Sequence, residues 1–169
     1  GKYKVNILKT KINKINKKVK VKTYRVKAED KNLGKILKQY DVIVDGTDNF
    51  KAKFLLNKFS LKYKKKLIIG AISKFEGHIF TFDFSLKKSP CLKCFYQGEP
   101  AEGVLDCETD GILGSTAVIT GSLQANEVLK IILNVGKNLN SHILIIDLLN
   151  LKFRKVLFRK RKGCICENI

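Results

Sequence analysis

Few residues in this chain carry side chains and spacings suited to chemistry. Cys91 and Cys94 stand three apart in "SPCLKC", and Cys164 and Cys166 two apart in "GCIC" near the end. Each pair is consistent with half a zinc site, a redox pair or two unrelated buried thiols. Cys107, in "LDCETDG", stands apart from both. It falls in an expected loop before a long helix. A helix start and nearby lysines can lower a thiol pKa, so Cys107 is a candidate to attack an activated acyl group or carry a persulfide; otherwise it is an inert thiol. Asp48, followed by Asn49, lies just past an expected strand and opens an expected helix. A carboxylate there either caps the helix or holds Mg2+ against nucleotide phosphates at the sheet edge where α/β folds bind ligands. Lys4 precedes another expected helix, near the positive end of its dipole, a position that suits a phosphate contact. His78 and His142 fall in strand-like segments and read as ordinary sheet residues.

The elements that must position these groups follow from periodicity. Val5–Lys18 puts Val5, Leu8, Ile12 and Ile15 on one helical face, and Val19–Val26 alternates as a strand does. A short helix is expected over Lys31–Tyr40, a buried parallel strand over Asp41–Gly46, and a helix over Asn49–Tyr63 with Phe54, Leu55 and Phe59 inward. Strands are expected over Lys66–Ser73 and Gly77–Phe84, the second setting Phe80, Phe82 and Phe84 against Ile79, Thr81 and Asp83. Gly111–Gly136 contains a long helix, apolar on most sides and so expected to be buried, with Gly121, Ala125, Val128 and Ile132 on one face. Strands over His142–Asn150 and Lys152–Lys160 end the chain. The order implies one α/β domain over residues 1–169: a Rossmann-like layered fold whose mixed, largely parallel sheet is continued by antiparallel strands.

Composition bounds the rest. A chain of 169 residues, 44% hydrophobic, can bury a core of its own. Its longest apolar runs, such as Leu67–Ile72, are too short to span a bilayer. Five cysteines argue against a closed disulfide framework and for a reducing, cytoplasmic compartment. The net charge of +19 raises nucleic-acid or membrane binding. The lysines, however, run along the whole chain with no RNA-binding aromatic signature, and the abundance of Lys, Ile, Asn and Leu fits an AT-rich genome, so neither partner is expected. The chain opens on Gly1 and has no methionine, as a fragment or processed piece would.

Several stretches, in order, resemble the ThiF/MoeB/HesA adenylyltransferases, bacterial relatives of ubiquitin-activating enzymes. They are the opening "GKYK", "DVIVDGTDNFKAKFLLN", Gly70 and Gly77, the Cys-x-x-Cys, "LDCETDGILGS", "GSLQANEVLK" and "GCIC". The resemblance covers the family's C-terminal two-thirds; its N-terminal Gly-rich half has no counterpart here. It implies ATP-dependent adenylation of the C-terminal glycine of a ubiquitin-like sulfur carrier, for molybdenum cofactor, thiamine or thiolated-tRNA synthesis, by a homodimer. It assigns Lys4, Asp48 and Asn49 to the ATP–Mg2+ site, Cys107 to covalent sulfur transfer, and Cys91, Cys94, Cys164 and Cys166 to a structural Zn2+. Two departures stand out. Lys53 replaces the family's usual arginine, and Cys-Ile-Cys replaces a second Cys-x-x-Cys, a shorter spacer expected to weaken the metal. Together with the missing half they fit an alternative, a non-catalytic remnant that binds a carrier or partner.

Overall fold

The computed structural model describes residues 1–98 and 111–167. Helices α1 (Lys4–Ile15) and α2 (Asp30–Leu37) lead into strand β1 (Val42–Asp45), helix α3 (Phe50–Lys62) and strands β2 (Lys66–Ser73) and β3 (Glu76–Asp83). A short helix α4 (Leu92–Tyr96), a long helix α5 (Gly114–Leu133) and strands β4 (His142–Asp147) and β5 (Lys152–Leu157) follow. The five strands lie in chain order in one mixed sheet. β1 and β2 are parallel and the other three pairings antiparallel.

The parallel part is shorter than expected because Val19–Val26 is not a strand: the segment joins no ladder, and Val19 and Val26 are half-exposed. An alternating pattern makes a strand only where a neighbour takes up its backbone hydrogen bonds.

Period-two alternation gives the sheet two different faces. Leu67, Ile69, Phe80, Phe82 and Ile143 point to the side covered by α3 and α4. There the rings of Phe80, Phe95, Tyr96 and Phe158 cluster, four of their pairs meeting edge to face at centroid distances of 4.9–5.9 Å. Full burial of one such ring stabilises by about 1.5–3 kcal/mol. Ile68, Ile79 and Ile146 point to the other side, where Ile119, Leu123, Val128 and Ile131 of α5 cover them.

α5 is not buried all round. Its sheet-facing residues are Thr116, Thr120, Gln124 and Glu127, whereas Gly121 and Ala125 are exposed and Ile132 is 65% exposed. Hydropathy counts these polar groups against burial, but most are satisfied. Thr116 Oγ1 donates to Lys74 C=O (3.2 Å) and Gln124 Nε2 to Asp45 C=O (2.8 Å). Glu127 Oε2 accepts from Thr81 Oγ1 (2.8 Å) and the Leu139 N–H (2.7 Å). The helix comes this close because Gly70 and Gly77 face it. A Cβ at Gly70 would lie 2.4 Å from Gln124 Oε1, and one at Gly77 2.3 Å from Thr120 Oγ1. Among the described residues no helix is long and apolar enough to cross a membrane.

Gly70→Ala is therefore expected to destabilise by about 1–3 kcal/mol in urea unfolding. Gly121→Ala, which meets open space within a helix, should stabilise by about 0.5–1 kcal/mol. On β3, burial lowers the His78 pKa, against a smaller opposing effect of Glu76. The unfolded chain therefore takes up this proton first as pH falls. The contribution is complete above the unfolded value, about 6.5, and lost as pH falls from there through the lower folded pKa. His78→Gln should flatten that part of the stability–pH curve.

Candidate functional site

The carboxyl ends of β1 and β2 form the candidate site, and a buried ion pair shapes it. Asp45, the last residue of β1, is fully buried. Lys53 Nζ, one turn into α3, donates to Asp45 Oδ2 (2.8 Å), Thr47 C=O (2.7 Å) and Gly70 C=O (2.8 Å), which uses all three ammonium protons. Thr47 donates its N–H and Oγ1–H to Asp45 Oδ1 at 2.9 and 2.7 Å. The loop from β1 to α3 is thus held at both ends of one carboxylate. Lys53 is a structural cation with no proton left for a ligand.

This loop separates the two jobs that Asp48 might do. The helix cap is Asn49, whose Oδ1 accepts the Ala52 N–H at 2.8 Å. Asp48 is exposed, and its side chain accepts the Asn49 amide at 3.0 Å. That bond, then its own main-chain N–H and the charges of Lys53 and Lys4, hold its carboxyl below the usual range. Asp48 is therefore ionised, and among the described residues it forms no ion pair. Lys4, the first residue of α1, is exposed and within electrostatic reach of it. Two of the three expected nucleotide residues, Lys4 and Asp48, are thus within electrostatic reach of each other, and Asn49 donates to Asp48 while capping α3.

Beside Asp48 opens a cavity of about 200 Å³ whose walls include Phe50, Ile72, His78 and Tyr96. A larger groove of about 1110 Å³ starts at the same loop, passes over Phe54 and Leu55, and reaches Lys93 and Ile165. At that end the four paired cysteines meet. Cys91 and Cys94 flank the first turn of α4, with Sγ atoms 4.0 Å apart. Cys164 Sγ lies 3.6 Å from Cys91 and Cys166 Sγ 3.4 Å from Cys94. All four sulfurs fall within 4.8 Å of one another. A tetrahedral zinc with bonds of about 2.3 Å needs sulfur separations of about 3.8 Å, so the donor set fits. The short Cys-Ile-Cys spacer does not keep the pair out. Turns close at Cys164 N–H to Arg161 C=O (3.3 Å) and Glu167 N–H to Cys164 C=O (2.8 Å), and Gly163 takes φ +72°. The Arg161 N–H also points at Cys94 Sγ, at 3.4 Å. Burial, then the Cys94 charge, push the Cys91 thiol up to about 12, and burial raises Cys166 as well. At Cys164 burial is outweighed by hydrogen bonds within the cluster, which lower its pKa. A bound cation would take the place of the protons on Cys91 and Cys166. Cys107 lies outside the described residues.

Sequence reasoning overlooked the residues that support these groups. Asp45 and Thr47 stood inside "DGTD", and Gln124 and Glu127 inside "GSLQANE", without an assigned task. Asn57, the last residue of "KFLLN", is fully buried and accepts the Leu92 N–H at 2.9 Å, which fixes the start of the cysteine turn. A buried amide at the i+4 position from Lys53 was the available signal.

Known proteins resemble this chain in sequence and fold. The ThiF family profile matches residues 1–167. A sulfur carrier protein adenylyltransferase of Thermus thermophilus is 33% identical over 168 residues, 97% of this chain and 62% of its own length. A probable molybdopterin-synthase adenylyltransferase of Gracilaria tenuistipitata var. liui is 35% identical over 155 residues, 92% of this chain and 43% of its own. Among solved structures, E. coli MccB with ATP superimposes with a TM-score of 0.80 over 100% of this chain and 52% of its own, at 16% identity, a likeness of fold. The chain thus spans about half the length of the relatives it matches. Matched along nearly all its residues and sharing the family's mixed α/β sheet, the chain belongs to the ThiF family.

Proposed function

We propose that the protein takes part in ATP-dependent adenylation of the C-terminal glycine of a ubiquitin-like sulfur carrier, with Asp48 as the metal-facing carboxylate. The observation that carries this reading is the division of labour in the loop after β1. Asn49 caps the helix, the Asp45–Lys53 pair fixes the backbone, and Asp48 is left ionised beside a cavity. The names of the relatives support the substrate class.

Mg2+ takes one or two carboxylates together with phosphate oxygens, which matches a single free Asp48. Bound ATP supplies an electrophilic α-phosphorus and a pyrophosphate leaving group. Asp48 would hold the metal side of the triphosphate, and Lys4 would add positive charge along it. The cavity would keep water from the carrier's tail. A terminal carboxylate oxygen of the carrier bonds to the α-phosphorus as the bond to pyrophosphate breaks, which gives a mixed anhydride. Its carbonyl carbon is then open to a sulfur nucleophile, with AMP as the leaving group. Cys107 is the proposed thiol for that transfer, a cytoplasmic homodimer is the proposed setting, and Zn2+ the proposed ion for the four-cysteine cluster.

In the natural-length protein, Asp48→Ala should lower carrier-dependent exchange of pyrophosphate into ATP by about 10²–10³-fold. Its unfolding free energy should move by no more than about 0.5 kcal/mol, because the cap remains. Asn49→Ala should instead cost about 0.5–2 kcal/mol of stability. Near-normal exchange in a folded Asp48→Ala protein would refute the assignment of Asp48, whereas absence of exchange in the parent protein would favour the remnant that only binds a partner.

Elemental analysis of protein purified under reducing conditions should find one zinc per chain. Because buried thiols must give up protons to bind it, affinity should fall steeply as pH falls. A chelator should raise amide exchange at Cys91–Tyr96 and 161–167 together and leave β2 and β3 protected. Protein that is metal-free, with both segments already exchanging fast, would exclude the structural zinc.

A further inference from the structure

α1 and the chain that follows it enclose a cleft that the adenylation reading does not use. After α1 the chain is irregular as far as α2 and runs back along the helix: the Arg25 guanidinium lies 4.7 Å from the centroid of the Tyr3 ring. The cleft between them, about 570 Å³, is lined by Lys9, Asn13, Lys17, Lys20, Lys22 and Thr23. It shares no lining residue with the cavity beside Asp48 or the groove over α3.

No counter-charge accompanies these lysines. Residues 1–28 contain ten lysines and Arg25 but no Asp or Glu. The ion pairs among the described residues all lie elsewhere. Lys22 donates to the Gln39 side-chain oxygen at 3.2 Å and lies 5.1 Å from the centroid of the Tyr24 ring. Four ammonium groups gathered in one concavity repel one another, and a bound polyanion would relieve that repulsion and release its own counterions. The even scatter of lysine along the sequence conceals this convergence, which arises only when the chain folds back on α1.

We propose that this cleft binds the phosphodiester backbone of a nucleic-acid strand, without reading its sequence. An open, lysine-lined hollow lets a flexible strand follow its curvature, whereas a membrane presents a plane. Asn13 and Thr23 add donors for phosphate or ribose oxygens, and the lining offers no aromatic ring for stacking a base.

The test is fluorescence anisotropy with a labelled 20-nucleotide single-stranded RNA of mixed sequence, across a salt series. Three or four contacted phosphates predict a slope of log affinity against log salt of about −2 to −3. The triple variant Lys9→Glu/Lys17→Glu/Lys20→Glu should bind at least tenfold more weakly and flatten that slope by about two. Lys137→Glu/Lys152→Glu/Lys155→Glu changes the net charge equally at exposed positions far along the chain and should stay within threefold of the parent. If the first triple variant melts early, Lys17→Gln/Lys20→Gln, outside the helix, is measured instead, and a loss of threefold or more supports the cleft. Equal weakening by both triple variants would show that only overall charge matters and would overturn the proposal. So would absence of RNA binding, or binding confined to phosphatidylserine vesicles.

Discussion

A carboxylate with no access to water must find its charge partner inside the protein, and Asp45 organises its surroundings to meet that demand. Lys53 neutralises it from α3, Thr47 donates two hydrogen bonds from the loop, and Gln124 of α5 holds its carbonyl from the opposite face of the sheet. The helices on both faces are therefore indexed to one residue. Gly70 closes the arrangement, giving its carbonyl to Lys53 and its missing Cβ to Gln124. Removing either charge would strand the other in the interior, at a cost of about 3–5 kcal/mol.

α3 carries this order from one end of the molecule to the other. Asn49, Lys53 and Asn57 are spaced by four residues and so lie along one stripe of the helix. The first caps the helix, the second anchors the β1 loop, and the third takes the Leu92 N–H at the cysteine turn. Eight residues of helix span about 12 Å. The candidate nucleotide end and the candidate metal end are thus spaced by a rigid element, with the large groove running between them.

Much of this was legible in the sequence, for identifiable reasons. Lys66–Ser73 emerged as a strand because a short apolar run after a helix has few other uses, and its bounds match β2. The phenylalanines of β3 share one face because alternation is a property of the extended backbone itself. The four cysteines come together as the family resemblance implied. The failures have a common cause. α5 looked buried all round because hydropathy cannot tell that its buried side is the one with Thr116, Gln124 and Glu127, each of which meets a partner supplied by another strand or turn, while apolar residues such as Ile132 face outward. Val19–Val26 has the pattern of a strand, but pairing depends on a neighbour that local pattern does not encode. Lys53 stood out only as a departure from the family's usual arginine, because its three acceptors lie at Asp45, Thr47 and Gly70, brought together only by the fold.

Asp48 and Asn49 are adjacent in sequence, yet one stabilises the helix and the other is free of any structural duty. A lineage that no longer needed the chemistry could therefore lose Asp48 by drift while its protein stayed folded, abundant and able to hold partners. Loss of Asn49 or Lys53 would instead reduce the amount of protein in the cell before any change in chemistry was felt. Among descendants of such a gene, the residue at position 48 would record whether catalysis was still under selection, and the residues at 49 and 53 whether the fold was.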